Sequence, residues 1–464
     1  MEKIKPYTKY KPSGIAWLGN IPEHWEVRKA KKLFNERSEK GYENEPFLAA
    51  TQNQGVVLKN MLSTKTVLAS KDFHTLKLVE KGDFVISLRS FQGGIEYAYY
   101  RGIISPAYTI LKPQIFVERN FFRHYFKSKE FINCLTLLVT GIREGQNIDT
   151  TKFKDTFLPL PPKEEQAVIA NFLDYKTAKI DRFIRKKKQL IKLLNEQKAG
   201  IINNAVTKGL NPKAKMKPSG IEWLGDIPAH WEVKKLKYVA DCFPSNIDKH
   251  SREGEKQVRL CNYTDVYKND YITNDMNLMV ATANDEQIKK FTLIKGDVII
   301  TKDSETANDI AVPALVKEDL ENIVCGYHLS VLRPSSKLIG DYLFRVLQCK
   351  PINIQFELCS NGVTRVGLGV YDMQKAQIPL PPAKEQIDIV SHILKETDIL
   401  TKTISTIEKE IALTQEYRTS LIAEAVTGKI DVRDYKVPEI VEEEELADDT
   451  DDEVLEETTN DDEL

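Results

Sequence analysis

The chain carries one stretch twice. Residues 11–29 read KPSGIAWLGNIPEHWEVRK and residues 217–235 read KPSGIEWLGDIPAHWEVKK, identical at fifteen of nineteen positions with a constant offset of 206. All four tryptophans, Trp17, Trp25, Trp223 and Trp231, lie in these copies. A second pair follows later in each half, LPLPPKEEQ at 158–166 and IPLPPAKEQ at 378–386, offset by 220. Self-similarity on this scale sets the architecture before any local structure is assigned. Each half is one module: a Trp-rich opening, a variable body, a Pro-Pro stop and a long charged stretch. A tryptophan pair at fixed spacing is expected to be a packing staple, and His24 and His230 share that expectation.

The 464 residues thus form two halves of a little over 200, each long enough to bury its own core. The formal net charge of −2 hides a split. The last 27 residues, 438–464, hold fifteen of the 68 acidic side chains and no Lys or Arg, leaving 66 basic against 53 acidic over 1–437. A body with that excess can attract a polyanion, nucleic acid first among them. The acidic run is too charged to pack and is expected to be disordered.

The six cysteines include no CxxC pair and no zinc-type His spacing, so they are expected to be buried thiols of a reducing compartment. No run of about 18 apolar residues occurs and the N-terminus lacks an apolar core, pointing to a cytoplasmic chain with no membrane partner.

Within the bodies, short strand patterns bounded by turn residues occur at 47–50, 56–58, 84–86, 108–111, 258–260, 298–301 and 329–332, with helical patches at 121–138 and 341–347. Two shared pieces survive in the divergent bodies: KGDFVI at 81–86 answers KGDVII at 295–300, and LKP at 111–113 answers LRP at 332–334. After each Pro-Pro pair, Glu164, Glu165 and Glu385 favour the positive end of a helix dipole. A heptad-like spacing then runs through Leu173, Ile180, Leu194 and Ile201, flanked by Phe183 and Leu190, and in the second half through Ile393, Leu400, Ile404, Ile407, Ile411 and Leu421. Both stretches close with Ala-Val-Thr before Gly209 or Gly428. About 40 residues of helix span roughly 60 Å, a spacer's length. The fold class expected is α+β: two similar domains of short strands plus helices, separated by two long antiparallel coiled-coil helices, with a pseudo-two-fold internal repeat.

Motifs of catalysis are missing from the sequence. Thr427-Gly428-Lys429 lacks the first glycine of a phosphate loop, Gly367-Leu368-Gly369 is an isolated fragment, and neither HExxH nor GxSxG occurs. The Pro-Pro pairs sit in LPPK and LPPA, not in the Asn/Asp-Pro-Pro-aromatic tetrapeptide of amino-methyltransferases. No catalytic or metal-ligating residue is assigned.

At W-L-G-x-I-P-x-H-W, at P-L-P-P-x-x-E-Q and along the long helical stretches, the sequence resembles the DNA-specificity subunit of type I restriction-modification systems, over about residues 11–430. The acidic tail departs from that pattern. The resemblance implies a target-recognition domain at 30–160, a spacer helix at 161–210, a linker and second opening segment at 211–235, a second recognition domain at 236–380, a second helix at 381–430 and the tail at 431–464, after the first opening segment at 1–29. It implies a non-catalytic subunit that binds double-stranded DNA at a bipartite asymmetric target. Two methyltransferase subunits would dock on the helices and methylate adenine N6 with S-adenosylmethionine. Restriction subunits would add ATP- and Mg2+-dependent cleavage, and this chain would need no cofactor of its own. An adaptor or a DNA-mimic inhibitor using the acidic tail is the alternative, and a self-contained nuclease or methyltransferase is the enzymatic one.

The family offers no base-reading motif to carry over, so candidate DNA contacts rest on chemistry and position. Arg and Lys can read guanine edges, Asn and Gln can read adenine, and glycines permit close approach. In the first body these are Arg89, Ser90 and Gln92 after a strand, then Gln52, Asn53 and Gln54, then Arg143 and Gln146. Their counterparts are Lys302, Asp303 and Ser304, then Asn262 and Tyr263, then Thr364 and Arg365.

Overall fold

The computed structural model describes residues 5–62, 73–140, 147–362 and 365–438. The chain divides into two compact units, Met1–Lys186 with Glu410–Leu464, and Lys187–Lys409. The two long helices, Lys163–Lys208 and Ala383–Val426, each begin in one unit and end in the other. Each starts right after its Pro-Pro pair, where a missing N–H costs nothing. Each ends at a glycine with positive φ, Gly209 at 69° and Gly428 at 72°. These two glycines also carry tight packing: a Cβ on Gly209 would lie 3.1 Å from the Trp231 ring, and one on Gly428 2.4 Å from Pro22.

In the first unit the two helix segments run antiparallel. Phe172 near the start of one meets Tyr435 beyond the end of the other at 4.8 Å between ring centroids, and Asp181 further along forms an ion pair with Arg418 at 3.2 Å, too misaligned for a hydrogen bond. The body's main sheet is antiparallel in the order Phe34–Arg37, Thr109–Pro113, Phe84–Ile86, Glu96–Tyr97. Phe34, Phe84, Phe122 and Phe126 pack as a cluster of rings between sheet and helices.

The second unit has a five-stranded sheet, Ala240–Pro244, Leu329–Pro334, Val298–Thr301, Pro313–Val316, Tyr271–Ile272, beside a three-stranded one, Met279–Ala283, Lys256–Cys261, Ile323–Cys325. The shared KGD pieces have one physical role in both units. Asp83 caps its own turn by accepting from the Glu80 N–H and pairs with Arg37 at 2.7 Å, while Asp297 accepts from the Ile294 N–H and grips Arg333 through both oxygens at 2.7 and 2.8 Å. The arginines come from the two strands that pair with each other in either sheet.

The two repeated motifs, far apart in sequence, are neighbours in space. Strand Phe157–Leu160 pairs with Glu26–Lys29 and Gln377–Leu380 with Glu232–Lys235, both antiparallel. The Glu-Gln that follows then clamps the module. Glu165, buried, accepts from the Tyr7 hydroxyl at 2.6 Å and the Trp25 indole N–H at 2.9 Å and bonds His24 at 2.7 Å. Glu385 bonds His230 at 2.8 Å, whereas the buried Trp231 indole N–H has no partner among the described residues. The buried Gln166 and Gln386 side chains each take a backbone N–H, from Glu118 and Ile339, and return a donor to the preceding prolyl carbonyl, Pro161 or Pro381.

Several expectations need correction. Trp25 and Trp231 are fully buried, but Trp223 is 42% exposed and Trp17 half-buried, so only the second tryptophan of each pair is a staple. The patch at 121–138 is two helices, Arg119–Tyr125 and Lys129–Thr136, broken where the Ser128 hydroxyl bonds the Tyr125 carbonyl. A further helix, Lys350–Cys359, follows Gly340–Gln348. Phe183 and Leu190 are exposed rather than in the seam, and Cys359 is exposed while the other five cysteines are buried. The fold also continues past Ile430: Val432 is buried, the Asp431 N–H donates to the Lys5 carbonyl at 2.8 Å and Arg433 lies over the Tyr7 ring.

Candidate nucleic-acid interface

In the first body, strands Leu48–Thr51 and Gly55–Leu58 form a hairpin whose register puts Gln52, Asn53 and Gln54 at an exposed tip. The Thr51 hydroxyl shapes the tip, donating to the Gly55 carbonyl and accepting from the Gln54 N–H, each at 3.0 Å. Strand Phe84–Ile86 runs into a turn containing one helical turn, Ser90–Gly93, with Arg89 and Gln92 exposed. The Gln52 side chain packs on Gly93, where a Cβ would stand 2.8 Å from it. The helical turn lies against helix Lys129–Thr136 and strand Asn147–Ile148, which pairs with Val139–Thr140. Arg143 and Gln146 belong to the connection between those two strands and lie outside the described residues. Two of the three segments chosen from sequence, the Gln52–Gln54 tip and the Arg89–Gln92 turn, therefore share one corner of the body.

Lys127, from the break between the two helices, stands at that corner. Its ammonium donates to the Gln52 carbonyl at 2.9 Å, the Gly93 carbonyl at 2.8 Å and Glu96 at 2.7 Å. Glu96 is 1% exposed and its other carboxylate oxygen has no partner among the described residues. Burial pushes its pKa up to about 7, against the opposing pull of Lys127.

The second body brings its segments together by other means. Asp303–Ser304 pairs with Val366–Gly367, placing Lys302, Asp303 and Ser304 next to the exposed Arg365. The Leu368 N–H donates to the Lys302 carbonyl at 2.8 Å, and the Lys302 N–H to the His328 carbonyl at 3.0 Å. Tyr263 reaches Ser304 hydroxyl to hydroxyl at 3.5 Å and stacks on Tyr267 at 5.6 Å. The Lys302 ammonium sits 4.4 Å over the half-exposed Tyr327 ring. Thr364 lies outside the described residues. A surface of stacked tyrosines, a lysine and an arginine offers phosphate and base-edge contacts.

Some of the chosen side chains are committed to the fold. Ser90 is 1% exposed and its hydroxyl accepts from the Ser87 N–H; Ser304 is 4% exposed. Asn262 is not in a loop but caps helix Tyr263–Lys268 in a capping box with Asp265. Asp303 bonds His328 at 2.9 Å. Lys127, Tyr267, Tyr327 and His328 were not singled out from sequence. Lys127 is hidden inside an apparently continuous helical pattern, while Tyr327-His328, an aromatic pair after a glycine and before a strand, is a signal that was there to be used.

Two segments of the chain, 20–193 and 228–413, match the sequence model described as Type I restriction modification DNA specificity domain. The chain is 24% identical over 439 residues to the type I restriction enzyme MjaVIII specificity subunit of Methanocaldococcus jannaschii, covering 89% of this chain and 94% of that one. It is 22% identical over 330 residues to the EcoKI specificity subunit of Escherichia coli K12, covering 69% and 68%. A solved chain from work on complex assembly and conformational transition of the type I R-M system superposes with a TM-score of 0.62 at 15% identity, covering 88% of this chain and 99% of that one. With two matching segments that together take in most of its length, the chain belongs to the type I restriction-modification DNA specificity family.

Proposed function

We propose that each unit reads one half of a split, asymmetric DNA target, the chain being the recognition subunit of a type I restriction-modification complex. One observation carries this reading. Each unit carries the same repeated opening, Pro-Pro and KGD pieces, yet gathers different side chains at one corner of its body, Gln52, Arg89 and Gln92 in one and Tyr263, Lys302 and Arg365 in the other. Like scaffolds with unlike surfaces suit two half-sites of different sequence. Lysine and arginine on phosphates supply most of the affinity, and the gathered segments supply discrimination.

The chemistry is assigned to partners. Two modification subunits docked along the long helices transfer a methyl group from S-adenosylmethionine to adenine N6, and restriction subunits cleave with ATP and Mg2+. This chain is non-catalytic and works in the cytoplasm, where the DNA is. Among its described residues no helix is long and apolar enough to cross a membrane. The test is a chimera: replacing residues 30–157 with the body of another family member should change one half-site and leave the other half-site and the gap intact. A change in both half-sites, or in neither, refutes the assignment.

A further inference from the structure

The second body ties its gathered segments with backbone ladder bonds between Asp303–Ser304 and Val366–Gly367. In the first body, the tip at Gln52 and the turn at Gly93 come from different strands and meet on one side chain, Lys127. An ammonium has three donors, and here they are directed to the Gln52 carbonyl, the Gly93 carbonyl and Glu96 at 2.9, 2.8 and 2.7 Å. The turn also abuts the residue before the lysine: a Cβ on Gly94 would lie 2.2 Å from the Phe126 carbonyl oxygen. Glu96 is buried and keeps one oxygen unpaired, so its charge is directed at Lys127 alone among the described residues.

We propose that Lys127 is the positioning residue of the first reading surface, fixing the separation between the Gln52–Gln54 tip and the Arg89–Gln92 turn and thereby the discrimination at one half-site only. This rests on the reading that these segments face DNA. Side-chain recognition of a base edge needs both partners held to about 0.5 Å, and backbone carbonyls at both segments gripped by a common ammonium provide that. The second body, tied differently, is the internal control.

The test uses the full chain assembled with its modification subunit. Binding is measured to the cognate duplex and to duplexes mismatched in either half-site, for wild type, Lys127→Met and Lys127→Arg. Lys127→Met should lower discrimination at the first half-site about tenfold, the scale of a lost charged hydrogen bond, and leave the second unchanged. Lys127→Arg, which keeps the charge, should fall between. Unchanged discrimination at both half-sites, or an equal fall at both, overturns the proposal. If Lys127→Met does not assemble, Glu96→Gln carries the measurement, with a smaller fall on the same side only; an equal or absent fall again overturns it. Arg89→Ala and Gln92→Ala separate the two levels. If they loosen the first half-site and the Lys127 variants do not, only the clasp fails. If they leave the first half-site untouched, the assignment of these segments to DNA fails with it.

Discussion

Glu165→Ala should destabilise the first unit far more than Glu385→Ala destabilises the second, although the two residues occupy equivalent places in the repeat. Glu165 is 5% exposed and accepts from Tyr7 and Trp25 while bonding His24. Burial first, then the Glu165 carboxylate, hold the Tyr7 hydroxyl pKa well above its ordinary value, as expected of a donor facing a buried anion. Removing the carboxylate strands an indole N–H and a phenol O–H in the core at about 1–3 kcal/mol each, so the loss is about 4 kcal/mol. Among the described residues Glu385 holds only His230, in a pair whose side chains are 26% and 53% exposed, and the Trp231 N–H lacks a partner. Its removal should cost at most about 1 kcal/mol. Hydrogen exchange followed peptide by peptide reads the units separately. Amides of strands Glu26–Lys29 and Phe157–Leu160 should lose about 3 kcal/mol more protection in Glu165→Ala than their counterparts lose in Glu385→Ala. Equal losses, or a larger one for Glu385→Ala, would refute the account of the Glu-Gln clamp.

Ending the chain after Ile430 removes the buried Val432 and the contacts of Arg433 and Tyr435 with Tyr7 and Phe172, and should lower first-unit stability by about 3 kcal/mol in denaturant titrations, whereas ending it after Val437 should not. The latter truncation removes fifteen acidic residues and should tighten nonspecific DNA binding at low salt, a gain that fades as salt rises. Glu96 gives a pH dependence. Its folded pKa of about 7 lies above the ordinary 4.5, so its contribution to stability is complete below about pH 4.5 and is lost as pH rises through about 7; Glu96→Gln should flatten the melting temperature across that window. Four residues inserted after the exposed Leu193 add about 6 Å to the first long helix and should change the unread gap by roughly one or two base pairs without altering either half-site, as read by methylation mapping.

Much of this architecture was legible because the chain states it twice. The Pro-Pro stops and the terminal glycines set the long helices to within two residues, since both act through local backbone geometry. Local turn chemistry also marked seven strands of the bodies, but not others that complete the sheets, such as Phe34–Arg37, Ala240–Pro244 and Pro313–Val316. What local pattern could not give was pairing over distance: that LPL and HWEVRK are adjacent strands, that Glu165 is aimed at His24 and Trp25 and Glu385 at His230, or that Arg433 covers Tyr7. The candidate residues show the same division. Position after a strand picked out segments that do converge, but burial decides the part each side chain plays, and burial took Ser90 and Ser304 out of reach. Lys127 acts through backbone carbonyls 34 and 75 residues away, a relation no spacing rule contains.

On the proposed function, one chain recognises two unlike half-sites separated by a fixed gap. It is tested most directly by co-expressing the chain with its modification subunit and mapping methylated adenines across host DNA by single-molecule sequencing. The expected result is one split motif, two short blocks of different sequence separated by a constant number of unspecified base pairs. A single continuous block, two identical inverted blocks, or no new methylation from a complex shown to be assembled would contradict it.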